Sequence, residues 1–342
     1  MACCRRKWPF LLLLPVAAVL GVRMLGFSPG PVEAVEVHCG GGEPRVLSSG
    51  SEITVLSWNL QFGASRKHHF FYDGGTAVSV PSGDVDATVA AIVDVIKSIE
   101  PDIALLQEVD RDSRRTGRRD QLDAYLSAAD WACWTSTPYH RHRYVPHPSG
   151  DHLGRIDMHL SVLSRLALQN SQRVALAPLQ ESWFRRFFNL KRALLVAEVP
   201  LEQGSFRIGN THLSAFSQGD GTLSRQVAVL EQWMGSPGPH LLGGDLNLLP
   251  PGDDPSRLQG GSSSYADTSN PVEKLLPRFS EVAGEALLDP SWRSYLPFGA
   301  AEADRKIDYL FYGELELIEA RVVHEASALS DHLPIVARFR VP

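Results

Sequence analysis

Gly243-Gly244-Asp245-Leu246-Asn247 follows the apolar pair Leu241-Leu242 and sets a carboxylate and a carboxamide at alternate positions of a strand end. Side chains alternate along a strand, so Asp245 and Asn247 share one face. Two oxygen-bearing groups so placed can grip a divalent metal and a water together. Further on come Ile307-Asp308-Tyr309 and Ser330-Asp331-His332. Two upstream runs have the same construction: Val55-Leu56-Ser57-Trp58 ends in Asn59, and Ile103-Ala104-Leu105-Leu106-Gln107 ends in Glu108. Between them and Asp245, Phe206-Arg207-Ile208-Gly209-Asn210-Thr211 delivers His212.

Alone, each motif has a plainer explanation; a carboxylate after Gly-Gly, for instance, also makes an Asx turn. As an ordered set they resemble the endonuclease/exonuclease/phosphatase superfamily, from about Glu52 to the C-terminus. The resemblance implies hydrolysis of phosphoester bonds, which needs a cation for the developing charge, a positioned water, and an acid or donor for the leaving oxygen. Hard oxygen ligands favour Mg²⁺, with Mn²⁺ or Ca²⁺ as substitutes. Glu108 is the expected metal ligand. Asn59 supports it as a carbonyl ligand or as a partner behind it, and Asp331 is a second ligand or an acid behind one. Asp245 and Asn247 hold the attacking water and a phosphate oxygen, with Asp245 as the base. His332 sits against the phosphate, and Asp308 matches the family carboxylate that fixes its tautomer. His212 matches the family histidine that donates to the phosphate or leaving group. Arg192 and Asn210 are the expected substrate contacts. Arg155 lies in a stretch that departs from the family pattern at His159, so no contact is carried over there. The run His140, His142, His147, His152 has irregular spacing and reads as a solvated or substrate-facing loop rather than a metal site.

The elements that must position these residues alternate between strand and helix. Asp84 is a plausible N-cap to an amphipathic helix burying Val85, Val89, Ile92, Val93, Ile96 and Ile99, ended by Pro101. Strands are expected near 160–164, 192–199, 206–212, 240–245, 306–312 and 334–341, and helices near 120–129, 221–234 and 271–283. That alternation argues for an α/β domain. The resemblance sharpens it to a four-layered sandwich, two mostly antiparallel β-sheets flanked by helices, spanning residues 51–342 with the site at one rim. A monomer is expected. Gly260-Gly261-Ser262-Ser263-Ser264 reads as a mobile loop near Asn247.

Residues 1–27 carry Arg5-Arg6-Lys7 ahead of an apolar stretch from Trp8 to Val22, the order of a signal peptide or a membrane anchor. Either places the catalytic domain outside the cytoplasm, secreted or anchored. Cys3 and Cys4 beside this stretch are open to acylation. Residues 28–50, rich in Gly and Pro, read as a linker. Cys39 and Cys133 could pair in an oxidising compartment, although two separated cysteines say little by themselves.

The substrate is less constrained. A net charge of −6 supplies no global basic surface of the kind non-specific nucleic-acid binding uses. Trp183-Phe184-Arg185-Arg186-Phe187-Phe188 interleaves aromatics with arginines, which suits an anionic lipid interface. A buried amphipathic turn would explain the same cluster. A phospholipid headgroup, hydrolysed as by a sphingomyelinase, is therefore the first reading, and an extracellular nuclease using the basic stretch Arg111–Arg119 the second. A third is a non-catalytic binding module, disfavoured because Glu108, Asp245, His212 and His332 are all present.

Overall fold

The computed structural model describes residues 26–40, 42–202, 204–215, 217, 219–258, 265 and 270–342. The expected leader up to residue 25 and the Gly-Ser loop at 260–264 lie outside these. No helix among the described residues is long and apolar enough to cross a membrane.

Two seven-stranded sheets face each other. The first runs β13 (Glu316–Val322), β14 (Ile335–Arg340), β3 (Glu52–Asn59), β4 (Ile103–Asp110), β6 (Gly154–Ser164), β5 (Cys133–Val145), β2 (Val37–Cys39). The second runs β1 (Val32–Ala34), β7 (Gln169–Ala175), β8 (Ala193–Pro200), β9 (Ser205–His212), β10 (His240–Asp245), β12 (Asp308–Gly313), β11 (Ser280–Glu281). Neighbours are antiparallel except β3 with β4 and β9 with β10. Among the described residues four α-helices accompany the sheets: α1 (Ser82–Ile99), α2 (Gln121–Leu126), α3 (Trp183–Phe188) and α4 (Thr222–Met234).

Alternation along each strand sorts the layers. Leu195, Ala197 and Leu241 join the core between the sheets, while Leu194, Val196 and Leu242 face the other way and pack beneath Val227 and Leu230 of α4. On the opposite side α1 buries Val85, Val89, Ile92 and Ile96, the face its periodicity indicates. The result is the expected four-layered sandwich.

Gly243 and Gly244 have separate steric reasons. A Cβ on Gly243 would come within 2.6 Å of Leu105 and 2.9 Å of Ser57, so glycine lets the sheets approach. Gly244 has φ 145°, and a Cβ there would lie 1.9 Å from the Thr211 carbonyl oxygen.

The segment read as a linker is built into both sheets: β1 pairs with β7, and β2 pairs with β5. Cys39 lies directly opposite Cys133 in that second pairing, and the two form a disulfide. The helix expected at 271–283 is instead a single turn, Pro271–Lys274, followed by β11. Val272, Leu275, Leu276 and Phe279 keep helical spacing and pack under the second sheet, but Pro277 has no N–H to continue the ladder and its ring clashes with the preceding turn, so the helix stops after one turn.

Candidate active site

The two parallel junctions set the site. In a parallel pair both strands finish at the same edge, so β3 and β4 bring Asn59 opposite Gln107, and β9 and β10 bring His212 opposite Asp245. The antiparallel β12 starts where β10 stops, placing Asp308 against Asp245. A bulge in β4 supplies the remaining group. Leu106 pairs with Ser161 and Val109 with His159, so Gln107 and Glu108 share the space opposite Leu160. Glu108 takes φ 56°, unusual for a residue with a side chain, and this turns its carboxylate towards the rim.

A chain of polar contacts crosses from one sheet to the other. Asn59 Nδ2 donates to Glu108 Oε1 at 3.3 Å and to Asp245 Oδ2 at 3.2 Å, while its side-chain Oδ1 accepts from the Gln61 N–H at 3.1 Å. Both polar ends of the Asn59 amide are thereby engaged. Asp245 Oδ2 also lies 3.2 Å from His212 Nε2 and 3.5 Å from His332 Nε2, and Asp245 Oδ1 accepts from the Asn247 N–H at 2.9 Å. The other nitrogen of His332, Nδ1, is 2.8 Å from Asp308 Oδ2, which Ser294 Oγ approaches at 2.6 Å. Trp58 Nε1 donates to the His332 carbonyl and Ser330 Oγ accepts from its N–H, so backbone and ring are both held. Tyr139 places its hydroxyl 3.2 Å from His212 Nδ1.

Burial sets the electrostatics. It pushes the Asp245 carboxyl up to about 7 against the opposing pull of His332, and likewise the Asp331 carboxyl to about 7. Burial alone would lower His332, but the carboxylates of Asp308 and Asp245 outweigh it and hold the imidazole well above its ordinary value. His212 moves the other way, well below the ordinary value, through burial together with Arg192 and His332.

The predicted residues do not all converge. Asn210 is fully buried between the sheets: its Nδ2 donates to the carbonyls of Leu106 and Ser161, and its Oδ1 accepts from Gln107. Every polar atom of that amide is committed, so it ties the sheets together and is not free for a substrate. Arg192 stands behind His212, its guanidinium 3.4 Å from the His212 carbonyl and 5.6 Å from the Tyr139 ring centre. Asn247 takes φ 51° and donates from its side chain to the Leu213 carbonyl. Asp331 is anchored through its N–H to Gln61. Arg155 pairs with Asp112 instead, and His159 is buried between Ser136 and Asp157. The histidine run also needs correcting. His140 and His142 are buried on one face of β5, while His152 lies beyond the strand, against Tyr144. Tyr139, Ser294 and Trp58 complete the site without having been singled out in the sequence. Only their positions in adjacent strands or loops could have suggested them.

Which group could a cation satisfy? Asp245, Asp308 and His332 offer ligand atoms within 4.8 Å of one another. Both nitrogens of His332 already face carboxylates, however, so that trio also works as a hydrogen-bonded line. Glu108, Asp245, Asp331 and Asp308 crowd four carboxyl groups around one end of the sandwich, with no thiol among them, and burial raises two of them to about 7. A divalent cation with a preference for hard oxygen ligands fits this surplus of acid. Glu108, with its side chain 18% exposed, and Asp331 are the two ligand candidates that are only partly buried.

The family description Endonuclease/Exonuclease/phosphatase family matches residues 56–332, from the start of the Asn59 motif to His332 itself. The chain belongs to this family. Its members are generally phosphoester hydrolases that depend on a divalent metal. Among solved structures the chain is similar to an endonuclease/exonuclease/phosphatase from Beutenbergia cavernae, with TM-score 0.61 and 21% identity over 85% of this chain and 72% of that one. It is also similar to one from Bacteroides vulgatus, with TM-score 0.54 and 14% identity over 85% and 100%. A third is humanized D. rerio TDP2, with TM-score 0.52 and 14% identity over 85% and 99%. At these identities the likeness is one of fold. No curated protein matches the sequence. For the family member described here, the rim formed by β3, β4, β9, β10 and β12 is therefore the candidate active site.

Proposed function

We propose that the chain is a divalent-metal-dependent phosphodiesterase acting on a phospholipid headgroup. The observation that carries the hydrolytic part is the line Asp308–His332–Asp245 meeting the Asn59–Glu108 pair at one rim. A bound cation, Mg²⁺ by the hardness of the donors, would be held by Glu108 with Asn59 behind it and Asp331 nearby, and would neutralise charge on the phosphate. Asp245 takes the proton of the attacking water, for which a carboxyl near 7 is well matched to neutral pH. His332, kept protonated by Asp308, donates to a phosphate oxygen. His212, with the Tyr139 hydroxyl donating to Nδ1, presents an N–H at Nε2 to the phosphate or leaving oxygen.

Three features favour lipid over nucleic acid. The basic stretch is neutralised in place: Arg111 pairs with Asp120, Arg114 with Asp151, Arg115 with Asp110, Arg118 with Asp112 and Arg119 with Asp86. A cavity of about 210 Å³ beside Asn247 is lined, among the described residues, by Tyr265, Glu273 and Asp253 and by no lysine or arginine, which suits a neutral or cationic headgroup better than a second phosphate. Thirdly, α3 exposes Trp183 at 70% and Phe184 at 55%, so the reading as a buried turn does not hold.

The test is parallel hydrolysis of bis-p-nitrophenyl phosphate, sphingomyelin and plasmid DNA, with Mg²⁺ or with EDTA, using His332→Ala as the blank. Metal-dependent turnover of sphingomyelin that is lost in the variant supports the proposal. Cleavage of DNA alone would replace lipid by nucleic acid, and no turnover of the generic diester would remove the hydrolytic reading.

A further inference from the structure

The strands of the first sheet do not end together. β4 stops at Asp110, which faces Met158, so beyond it Gly154–Asp157 of β6 meets no strand on that side but only the loop after β4, whose Arg111 N–H donates to the Asp157 carbonyl and whose Ser113 Oγ accepts from the Asp157 N–H. It pairs with the end of β5, from Arg141 to Val145, as a hairpin that continues past the catalytic edge. α3 sits on this hairpin. His140 Nε2 lies 3.0 Å from the Phe188 carbonyl, and the His142 ring lies 5.4 Å from Phe187 and 5.7 Å from Phe188. The link back to the active site is short, because the Lys191 N–H donates to the Tyr139 carbonyl and the Tyr139 hydroxyl meets His212.

The N-terminal end of the described chain arrives at the same place. Gly26 bridges to His142, and a Cβ on it would lie 2.4 Å from the Phe187 ring. Immediately upstream in sequence come Met24 and Leu25, then Arg23, and before them the apolar stretch from Trp8 to Val22. Three residues, Arg23, Met24 and Leu25, separate Val22 from Gly26, and an extended chain covers at most about 3.5 Å per Cα step, so over the four steps about 14 Å is the longest possible tether. An apolar segment seated in a bilayer would thus hold Gly26, and α3 beside it, at the headgroup layer.

The surface there suits that position. Trp183 and Phe184 are exposed large apolar residues, and Tyr144 on the hairpin is 55% exposed. Arg185 and Arg186 are exposed and make no ion pair among the described residues, in contrast to the fully paired stretch at 111–119. Lys191 turns its ammonium onto the carbonyls of Phe187 and Asn189, closing the helix and leaving the two arginines outward. Aromatic rings flanked by unpaired cations match an anionic lipid surface.

We propose that α3 and the projecting β5–β6 hairpin form a docking face for an anionic phospholipid bilayer, tethered through Gly26, which holds the catalytic rim towards the membrane. The proposal rests on the proposed function only for the lipid nature of the surface, and its test reads binding rather than turnover. The full chain is reconstituted with phosphatidylcholine vesicles, with and without phosphatidylserine, in which part of the lipid carries brominated acyl chains that quench nearby tryptophan. The expected result is that Trp183→Phe loses a large part of the quenchable fluorescence, leaving the share of Trp8 in the N-terminal segment. Replacing Arg185 and Arg186 together by Glu should abolish the gain in quenching that phosphatidylserine produces, with the circular dichroism spectrum unchanged. Quenching as strong in Trp183→Phe as in the parent, or a phosphatidylserine effect untouched by the arginine changes, would overturn the docking face. Docking without phospholipid hydrolysis would sink the substrate proposal alone.

Discussion

Replacing Asp308 by Asn isolates the charge behind His332. Asp308 is buried, and its Oδ2 receives the His332 Nδ1–H at 2.8 Å and the Ser294 hydroxyl at 2.6 Å. Asparagine keeps the shape and an acceptor oxygen for both donors but removes the negative charge. A hydrogen bond to a charged group contributes about 1.5–3 kcal/mol. Asparagine still accepts a neutral hydrogen bond worth about 1 kcal/mol, so the difference is about 0.5–2 kcal/mol; realised in the transition state, where His332 must hold a phosphate oxygen, with each ~1.4 kcal/mol worth tenfold in rate, it lowers kcat about 2- to 30-fold. KM should change little, because the interaction is made with the imidazole and not with the ground-state substrate. Ser294→Ala removes a neutral donor to the same oxygen, worth about 1 kcal/mol, so a loss of about fivefold is expected. The assay is steady-state hydrolysis of bis-p-nitrophenyl phosphate at saturating Mg²⁺, with thermal unfolding recorded for each variant. Because the two residues act as a unit, Asp308→Asn combined with His332→Ala should be no slower than His332→Ala alone. An Asp308→Asn protein that keeps kcat within twofold of the parent would refute the reasoning. The backbone ties from Trp58 and Ser330 would then be enough to orient His332.

Three other consequences concern stability. Gly244→Ala forces a Cβ onto the Thr211 carbonyl oxygen at 1.9 Å, which should part β9 from β10 and cost at least about 4 kcal/mol; an unchanged urea midpoint would contradict the register. Changing Cys39 and Cys133 together to Ser opens a loop of sequence separation 94, so a loss of about 4–5 kcal/mol is expected in urea unfolding. Burial lowers His140 to about 3 and His142 to about 4, helped in each case by neighbouring positive charge. Between pH 6.5 and about 4 the unfolded chain therefore binds protons that the folded chain refuses, and stability should fall with falling pH by about 1.4 kcal/mol per unit for each histidine. His142→Leu should flatten that slope relative to the parent, and parallel slopes would show that the ring is already accessible to protons.

How far the fold could be read from the chain depended on how local its causes were. α1 and α4 are amphipathic over three or more turns, and the inter-sheet strands β8, β9, β10 and β14 are apolar on the buried side, so each carries its own periodic signal. β5 carries none that is apolar. Its run Thr135-Ser136-Thr137-Pro138-Tyr139-His140-Arg141-His142 fills the buried side with hydroxyls and imidazoles, because Thr135 is tied to Ser171 of the second sheet, Tyr139 to His212, and His140 and His142 meet α3. β1 and β2 are three residues each and exist only because β7 and β5 offer an edge, with the disulfide to hold the second. Short edge strands flanked by glycine and proline are indistinguishable from a linker until their partner is known.

The site divides in the same manner. The identities of Asn59, His212, Asp245 and Asp308 stood out because each ends or begins a strand, and those of Glu108 and His332 because they lie close to one, on the bulge near the end of β4 and three residues before β14; a strand terminus is where a polar side chain can leave the core. What the chain could not disclose was direction. Alternation in β4 points Leu105 and Gln107 at the opposite sheet, which by the same count should turn Glu108 away from it. The bulge opposite Leu160 breaks that count and restores Glu108 to the rim, with the φ of 56° as its backbone signature. Asn210 shows the converse. It alternates in step with His212 and so faces the same way, yet it lies one pleat deeper, where the facing sheet leaves no room for a substrate and where Gln107 and two carbonyls absorb its amide. Depth along the strand thus separates a residue that does chemistry from one that holds the two sheets at the spacing the chemistry requires.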